Sequence, residues 1–347
     1  MAGNTYRAGI VGLGFIGGAD EVSGDAIGQV VSDLDGTHAH ALSGHPRVVM
    51  ASGSSRDEGR RERFEARTGV RTYADWREML AGESLDIVSV ATYAPFHAEI
   101  TVACAKQGVR AVYCEKPVAT RVSDAERMLE ACAAAGTLLV VNHNRRFQTN
   151  ARRLRGLVAD GALGELTSAS MQWGSGRLGN VGTHFIDTIQ MLTGRAVEAV
   201  SGTLDLSGRP DCRGDQFRDP GGWGMLRLER GLICTVDAAD YGTLPPRISV
   251  HGTEGSAVLD GRDVVVENRD GRGEAWTDRA DSESSMARAV GEIVDWLDGE
   301  AAFPYAASEA ARTLEAIVGF HVSHAGNGSW VDLPLTGQDR DREVLSG

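Results

Sequence analysis

Lys116 and His184 are the two residues whose type and setting point most directly to proton chemistry. Lys116 stands in Glu115-Lys116-Pro117, directly after the apolar run Ala111–Cys114. A lysine beside a like charge has a lowered pKa, so it can hydrogen-bond a substrate hydroxyl and exchange a proton with it. Pro117 holds Lys116 in extended backbone and keeps a helix from starting there. His184 lies in Gly179-Asn180-Val181-Gly182-Thr183-His184-Phe185-Ile186-Asp187. Imidazole titrates near neutral pH and serves as a general acid or base. On a helix over Asn180–Leu192, Asn180 and His184 share a face, and Asp187 extends the stripe. Each residue taken alone also suits a structural role: a solvated lysine at a strand end, a packed histidine in a core.

The run Ala8–Val11 leads into Gly12-Leu13-Gly14-Phe15-Ile16-Gly17. Gly12 allows a tight turn, Gly14 lets the backbone approach a pyrophosphate, and Gly17 lets a helix pack closely with its N-terminus towards the phosphates. Phe15 and Ile16 belong to the same turn. The second strand ends in Ser54-Ser55-Arg56. An acidic residue at this point binds the ribose of NAD, whereas an arginine with small hydroxyl residues suits a 2′-phosphate. Arg60, one turn on, adds charge. NADP(H) is favoured and NAD(H) stays open. The loop Thr92-Tyr93-Ala94-Pro95-Phe96-His97 and the Glu115-Lys116 pair both follow strands at the end where open α/β sheets bind ligands. They supply Thr92, Tyr93, His97, Glu115 and Lys116 to the same cofactor set.

The elements that must position these residues are legible as alternation. Short apolar runs (Ala8–Val11, Val48–Ala51, Ile87–Ala91, Ala111–Cys114, Leu138–Val141) alternate with helical patterns at Asp57–Thr68, His97–Gln107 and Ser123–Ala135. Wholly apolar strands between amphipathic helices mean a parallel sheet covered on both faces, a doubly wound α/β domain. It is expected over 1–145, with an acidic insertion at 18–35 before a helix resumes at Thr37–Leu42. A long insertion of this kind reads as surface, or as a flap or contact. From Val197 to about Val266, strand-like runs alternate with Gly and Pro turns, which indicates a largely antiparallel sheet. An α+β domain is expected over 146–335, closed by helices at Ser284–Leu297 and Ser308–Ser323, with a loose polar tail at 336–347.

Composition excludes several classes. The 347 residues suggest two domains, and a net charge of −13 argues against nucleic acid as a partner. Five cysteines without a CxxC indicate a reduced, cytoplasmic chain, not a disulfide framework or zinc site. No apolar run is long enough to span a membrane. His38 with His40, and His321 with His324, lack an evident third ligand, so no metal is expected.

Taken together, the Gly12–Gly17 turn, the Thr92…His97 loop, Glu115-Lys116-Pro117, Asn142–Phe147, the His184 helix and Gly252-Thr253-Glu254-Gly255 resemble the Gfo/Idh/MocA oxidoreductases from about residue 6 to about residue 335. The resemblance implies a Rossmann domain plus a second domain with a large open sheet that forms homodimers or homotetramers. It implies hydride transfer between a nicotinamide and a secondary alcohol or ketone of a sugar, cyclitol or sugar derivative. Lys116 and His184 then map to the family's catalytic residues. Arg145 and Tyr241 map near the substrate. Apart from the resemblance, Trp173, Arg177 and Trp223 are candidates to line a sugar pocket, since aromatic faces pack on sugar rings, and core or interface packing suits the two Trp equally well. Two departures stand out: Asn180 where many members have Asp, and Tyr93-Ala94 where Pro-Asn is usual. Asn180 cannot raise the basicity of His184 as a carboxylate would. Two alternatives remain at this stage, a redox-neutral epimerase or eliminase that retains its cofactor, and a non-catalytic dinucleotide sensor.

Overall fold

The computed structural model describes residues 4–24, 35–207, 217–240, 242–277 and 283–345. The first part of the chain runs β1 (Tyr6–Val11), α1 (Phe15–Gly18), α2 (Glu21–Gly24), α3 (His38–Gly44), β2 (Val48–Ser54), α4 (Glu58–Thr68), β3 (Arg71–Tyr73), α5 (Trp76–Gly82), β4 (Ile87–Val90), α6 (His97–Lys106), β5 (Ala111–Cys114), α7 (Val122–Ala135) and β6 (Leu138–Val141). It continues with α8 (Thr149–Ala159), β7 (Leu166–Gln172), α9 (Thr183–Thr193), β8 (Val197–Asp205), β9 (Gly221–Leu228), β10 (Leu232–Ala238), β11 (Arg247–Gly252) and β12 (Gly255–Asp260). β13 (Asp263–Asn268), β14 (Gly273–Trp276), α10 (Ser285–Asp298), α11 (Ala307–Ala325) and β15 (Val331–Asp332) complete it.

The first compact unit comprises residues 1–119, 124–142 and 283–308. Its six strands are all parallel, in the order β3-β2-β1-β4-β5-β6. β4 and β5 are buried at every position, as expected of strands covered on both faces. The strand order reverses between β1 and β4, and ligand crevices open at such a switch point. Gly12 and Thr92 follow these two strands. α10 joins this unit from far down the chain, packing on α3.

The expected insertion interrupts the first helix after one turn. α1 ends at Ala19, whose φ of 56° is left-handed. Asp20 is buried and forms a bidentate pair with Arg63 at 2.9 and 2.8 Å, and Arg67 donates to the Gly18 carbonyl. At the far end, Asp35 accepts the Ser285 N–H at 3.0 Å, where α10 begins. Residues 25–34, the middle of the insertion, lie outside the described residues.

The second unit comprises residues 120–123, 143–282 and 309–347. Its nine strands run β14-β13-β12-β11-β7-β10-β9-β8-β15. All neighbours are antiparallel except β7 and β10. On β9, Leu226 and Leu228 face inward while Trp223 and Met225 face out, 42% and 38% exposed. The C-terminal segment is less loose than its polarity suggests. Leu335 and Val344 are buried, and the Val344 N–H donates to Thr120 O at 2.9 Å. Among the described residues, no helix is long and apolar enough to cross a membrane.

Candidate active site

The three glycines of the first turn do different work. A Cβ on Gly12 would collide with the Ala91 carbonyl, and one on Gly17 with the Gly12 carbonyl. Both positions are therefore fixed by the fold itself, and Gly12 also adopts φ 103°. A Cβ on Gly14 would meet only the Arg60 guanidinium, at 3.7 Å. Gly14 thus fronts open space, bounded on one side by a cation. It is the N-cap of α1, so the first-turn N–H groups of Phe15, Ile16 and Gly17 face that space without intrahelical carbonyl partners. This fits a bound diphosphate. The helix behind it is a single turn, so local N–H groups, not a long macrodipole, must bind the anion.

Beside this turn lies a cavity of about 270 Å³ lined by Gly12, Ser54, Ser55, Arg56, Arg60, Thr92, Tyr93 and Phe96. Arg56 is exposed and stacks over Phe96 at 5.2 Å. Asp57 turns its carboxylate to the Arg60 N–H at 2.8 Å and caps α4. Of the sequence-derived cofactor residues, Gly12, Ser54, Ser55, Arg56, Thr92 and Tyr93 meet here, Lys116 is not among the lining residues, and two others are corrected. His97 is fully buried, its nitrogens 2.9 Å from Pro117 O and 2.9 Å from Thr92 O. It ties the two loops together and faces no ligand, and burial lowers its pKa. Glu115 is 8% exposed and points into the unit, not towards the cavity.

Glu115 sits in a buried chain. His38 Nε2 lies 3.0 Å from Glu115 Oε1, and His38 Nδ1 lies 2.6 Å from Ser89 Oγ. Asn142 donates to Oε1 at 2.6 Å, and the Tyr113 hydroxyl donates to Asn142 Oδ1 at 2.8 Å. Burial pushes the Glu115 carboxyl up, but His38, the charge of Lys116 and Asn142 more than offset this and hold it at about 2. Lys116 itself is half-buried.

In the second unit His184 is half-buried near the start of α9. The expected single helix over Asn180–Leu192 is corrected here. Leu178–Gly182 forms one π-helical turn, and α9 begins only at Thr183. Asn180 is therefore not placed one α-turn before His184. Its N–H and that of Gly179 donate to the Asp219 carboxylate at 2.7 and 2.6 Å. Asp219 gave no signal in the sequence, because it is 39 residues away from Asn180.

Asp187 does not extend a catalytic stripe. It is fully buried and takes a bidentate pair from Arg146, at 2.8 Å from Nε and 2.7 Å from Nη2. Arg146 reaches Glu309 as well, at 2.8 Å. Burial alone lowers the pKa of Arg146, but the two carboxylates more than offset that and raise it. His143 lies 3.2 Å from Asp187 and 3.0 Å from Thr183 Oγ1, with its ring edge-on to His184 at 5.9 Å. Arg145 lies over Phe185 at 4.7 Å, and burial lowers its pKa to about 10 against the pull of Asp187.

Of the two readings open for Trp173, the structure gives core packing. It is 1% exposed, stacked on Phe185 at 4.5 Å, and its indole donates to Gly176 O. Arg177 is half-buried with φ 59°, leading into the π-helical turn. Tyr241 lies outside the described residues.

The family model described as an oxidoreductase family with an NAD-binding Rossmann fold matches residues 6–143. The GFO/IDH/MocA C-terminal domain model matches residues 151–258. The chain is 26% identical over 288 residues to a myo-inositol 2-dehydrogenase from Thermotoga maritima, covering 77% of this chain and 79% of that protein. It is 26% identical to a levoglucosan dehydrogenase from Pseudarthrobacter phenanthrenivorans, covering 73% of each. Among solved structures, an inositol dehydrogenase homologue from Azotobacter vinelandii, in complex with NADH and myo-inositol, superposes with a TM-score of 0.76 at 18% identity, covering 95% of this chain and 98% of that one. The parallel sheet with its glycine turn and the large antiparallel sheet thus match one pair of domains, and the chain belongs to the GFO/IDH/MocA oxidoreductase family.

Proposed function

We propose that this chain is a dehydrogenase or reductase acting on a secondary alcohol or ketone of a polyhydroxylated ring, with NADP(H) preferred over NAD(H). The observation that carries the reading is the open cradle at Gly14 with Arg60 beside it and Arg56 on the adjoining cavity. When bound, the nicotinamide supplies the two-electron redox chemistry. The chain's own residues manage the oxygen and its proton. In the oxidation direction His184 accepts the hydroxyl proton. Lys116 supplies a hydrogen-bond donor that stabilises negative charge on the substrate oxygen as the carbonyl forms. Asn180 holds a neighbouring hydroxyl, and Arg145 and Arg177 are substrate-side contacts. The relatives named for myo-inositol and levoglucosan support a substrate among cyclitols and anhydrosugars.

Calorimetry with NADPH and NADH tests the cofactor preference. NADPH is expected to bind at least about tenfold more tightly, and R56A/R60A to remove that margin. Equal affinity in the wild type would overturn it. A cyclitol and anhydrosugar panel followed by nicotinamide absorbance tests the chemistry. K116A and H184A are each expected to lose about 10²–10⁴-fold in turnover, and full turnover in either rejects that residue's role. The outward apolar face of β9, with Trp223 and Met225, supports a homodimer or homotetramer through this sheet. Light scattering of W223E, expected to be smaller than wild type, checks it.

A further inference from the structure

The Glu115 carboxylate is held by donors from three directions within the first unit. His38 reaches it from α3, Asn142 from the end of β6, and the Lys116 backbone N–H donates to Oε2 at 3.2 Å. A carboxylate only accepts, so His38 Nε2 is the donor in its pair. His38 is fully buried on a short helix whose other buried residues are Ala39, Ala41 and Leu42. A buried imidazole is costly unless its nitrogens are matched, and Ser89 matches the second one.

The other titratable groups acting on this carboxylate, or acted on by it, stay neutral. Burial lowers His97 of α6 and raises Tyr113 and Cys114 of β5 far above their ordinary values. Asp35 acts on Tyr113 in the same sense as Glu115. The cation acting on Glu115 next to His38 is Lys116, the following residue. A carboxylate fixed beside a lysine favours the ammonium form, which is the form that donates to a substrate oxygen.

We propose that His38 is a positioning residue for Lys116, acting through the Glu115 carboxylate. His38 fixes which way the carboxylate faces, and the carboxylate in turn holds the Lys116 backbone and its charge. The start of α3 is anchored in the same unit: Thr37 caps it by accepting the His40 N–H, and Asp35 is bound to the start of α10. The inserted segment therefore ends directly on the helix that delivers His38. The proposal rests on the assignment of Lys116 above, and the tests separate the two.

Competitive acetylation of the full chain, read at the Lys116 peptide by mass spectrometry across pH, reports the Lys116 titration without any substrate. E115Q removes the anion, and its midpoint is expected to fall by about one unit or more. H38L, which cannot donate, and H38N, whose amide falls short of Oε1, are expected to fall by about half a unit or more. H38Q keeps a donor within reach and is expected to stay within about 0.2 units of wild type. A wild-type midpoint in H38N or H38L overturns the proposal. So does an H38Q midpoint displaced as far as that of H38L, which would mark a packing role. If H38L fails to fold, H38N and H38Q still decide between these outcomes. K116A in the turnover panel is the separate arm: full turnover there defeats the assignment of Lys116. Lost turnover in K116A with an unmoved H38N midpoint defeats only the role of His38.

Discussion

Each of the two units buries one imidazole between a hydroxyl and a carboxylate, and each of these chains ends next to a residue assigned to the reaction. In the first unit Ser89, His38 and Glu115 lead to Lys116. In the second, Asp187, His143 and Thr183 lead to His184. The distances are alike, but the counter-charge is not. Asp187 is matched by Arg146, which is 4% exposed and tied to a second carboxylate. Glu115 is matched by hydrogen bonds from His38 and Asn142 and by the half-buried Lys116. The same trio of groups thus has its cation locked inside in the second unit and half-buried in the first, where Lys116 is the residue proposed for the reaction.

The largest expected effect follows from that difference. R146M leaves Asp187 as a buried charge without its bidentate partner, and such losses cost about 3–5 kcal/mol. K116M removes a half-buried cation while His38 and Asn142 still hold Glu115, and is expected to cost about 1 kcal/mol or less. Urea unfolding of both variants reads the contrast directly. Equal losses would falsify the division of roles between the two chains.

The second effect is a pH dependence that belongs to the first unit. The Glu115 carboxyl is held at about 2 in the fold, below the ordinary carboxylate value. A depressed carboxyl contributes stability that is fully present above its unfolded pKa and is lost as pH falls through the folded value. The window therefore runs from about 4.5 down to about 2, and the contribution is on the order of 3 kcal/mol. Urea midpoints at several pH values across that window are expected to fall more steeply for wild type than for E115Q. Parallel slopes would mean that the carboxylate is not held by its donors.

The alternation of apolar runs and helices made the first unit readable, because burial on both faces leaves a local trace in the strands. β5 and β6 coincide with the runs Ala111–Cys114 and Leu138–Val141. The glycine turn was readable because its three glycines fall within six consecutive residues, Gly12–Gly17. The two buried chains were not. His38 and Glu115 are 77 residues apart, and His143 and Thr183 are 40 apart, so no local spacing links them. His38 looked like an ordinary helix residue, and only its burial beside Ser89 and Glu115 gives it a role. Adjacent Arg145 and Arg146 have equal standing in sequence, yet one stacks on Phe185 and the other is buried on Asp187. The π-helical turn at Leu178–Gly182 escaped because five residues are too few to separate its period from that of an α-helix.

The smallest expected effect concerns the hydroxyl ends of the two chains. S89A and T183V each strip a buried imidazole nitrogen of a partner, at a cost of about 1–3 kcal/mol. The backbones beneath them differ. Ser89 is in a central strand, paired with Ile10 of β1 and Tyr113 of β5, so β4 cannot shift to close the gap. Thr183 opens α9 directly after the π-helical turn, and helix ends adjust more readily than central strands. S89A is therefore expected near the top of that range and T183V near the bottom. T183V has a second consequence, because His143 packs edge-on to His184. It is expected to change turnover on the substrate panel by a few fold, through the orientation of His184, at nearly unchanged NADPH affinity. If S89A instead proves the milder of the two by urea unfolding, the rigidity of the sheet is not what holds His38 in place. The helix α3 would then have to do so through Thr37 and its contacts with α10.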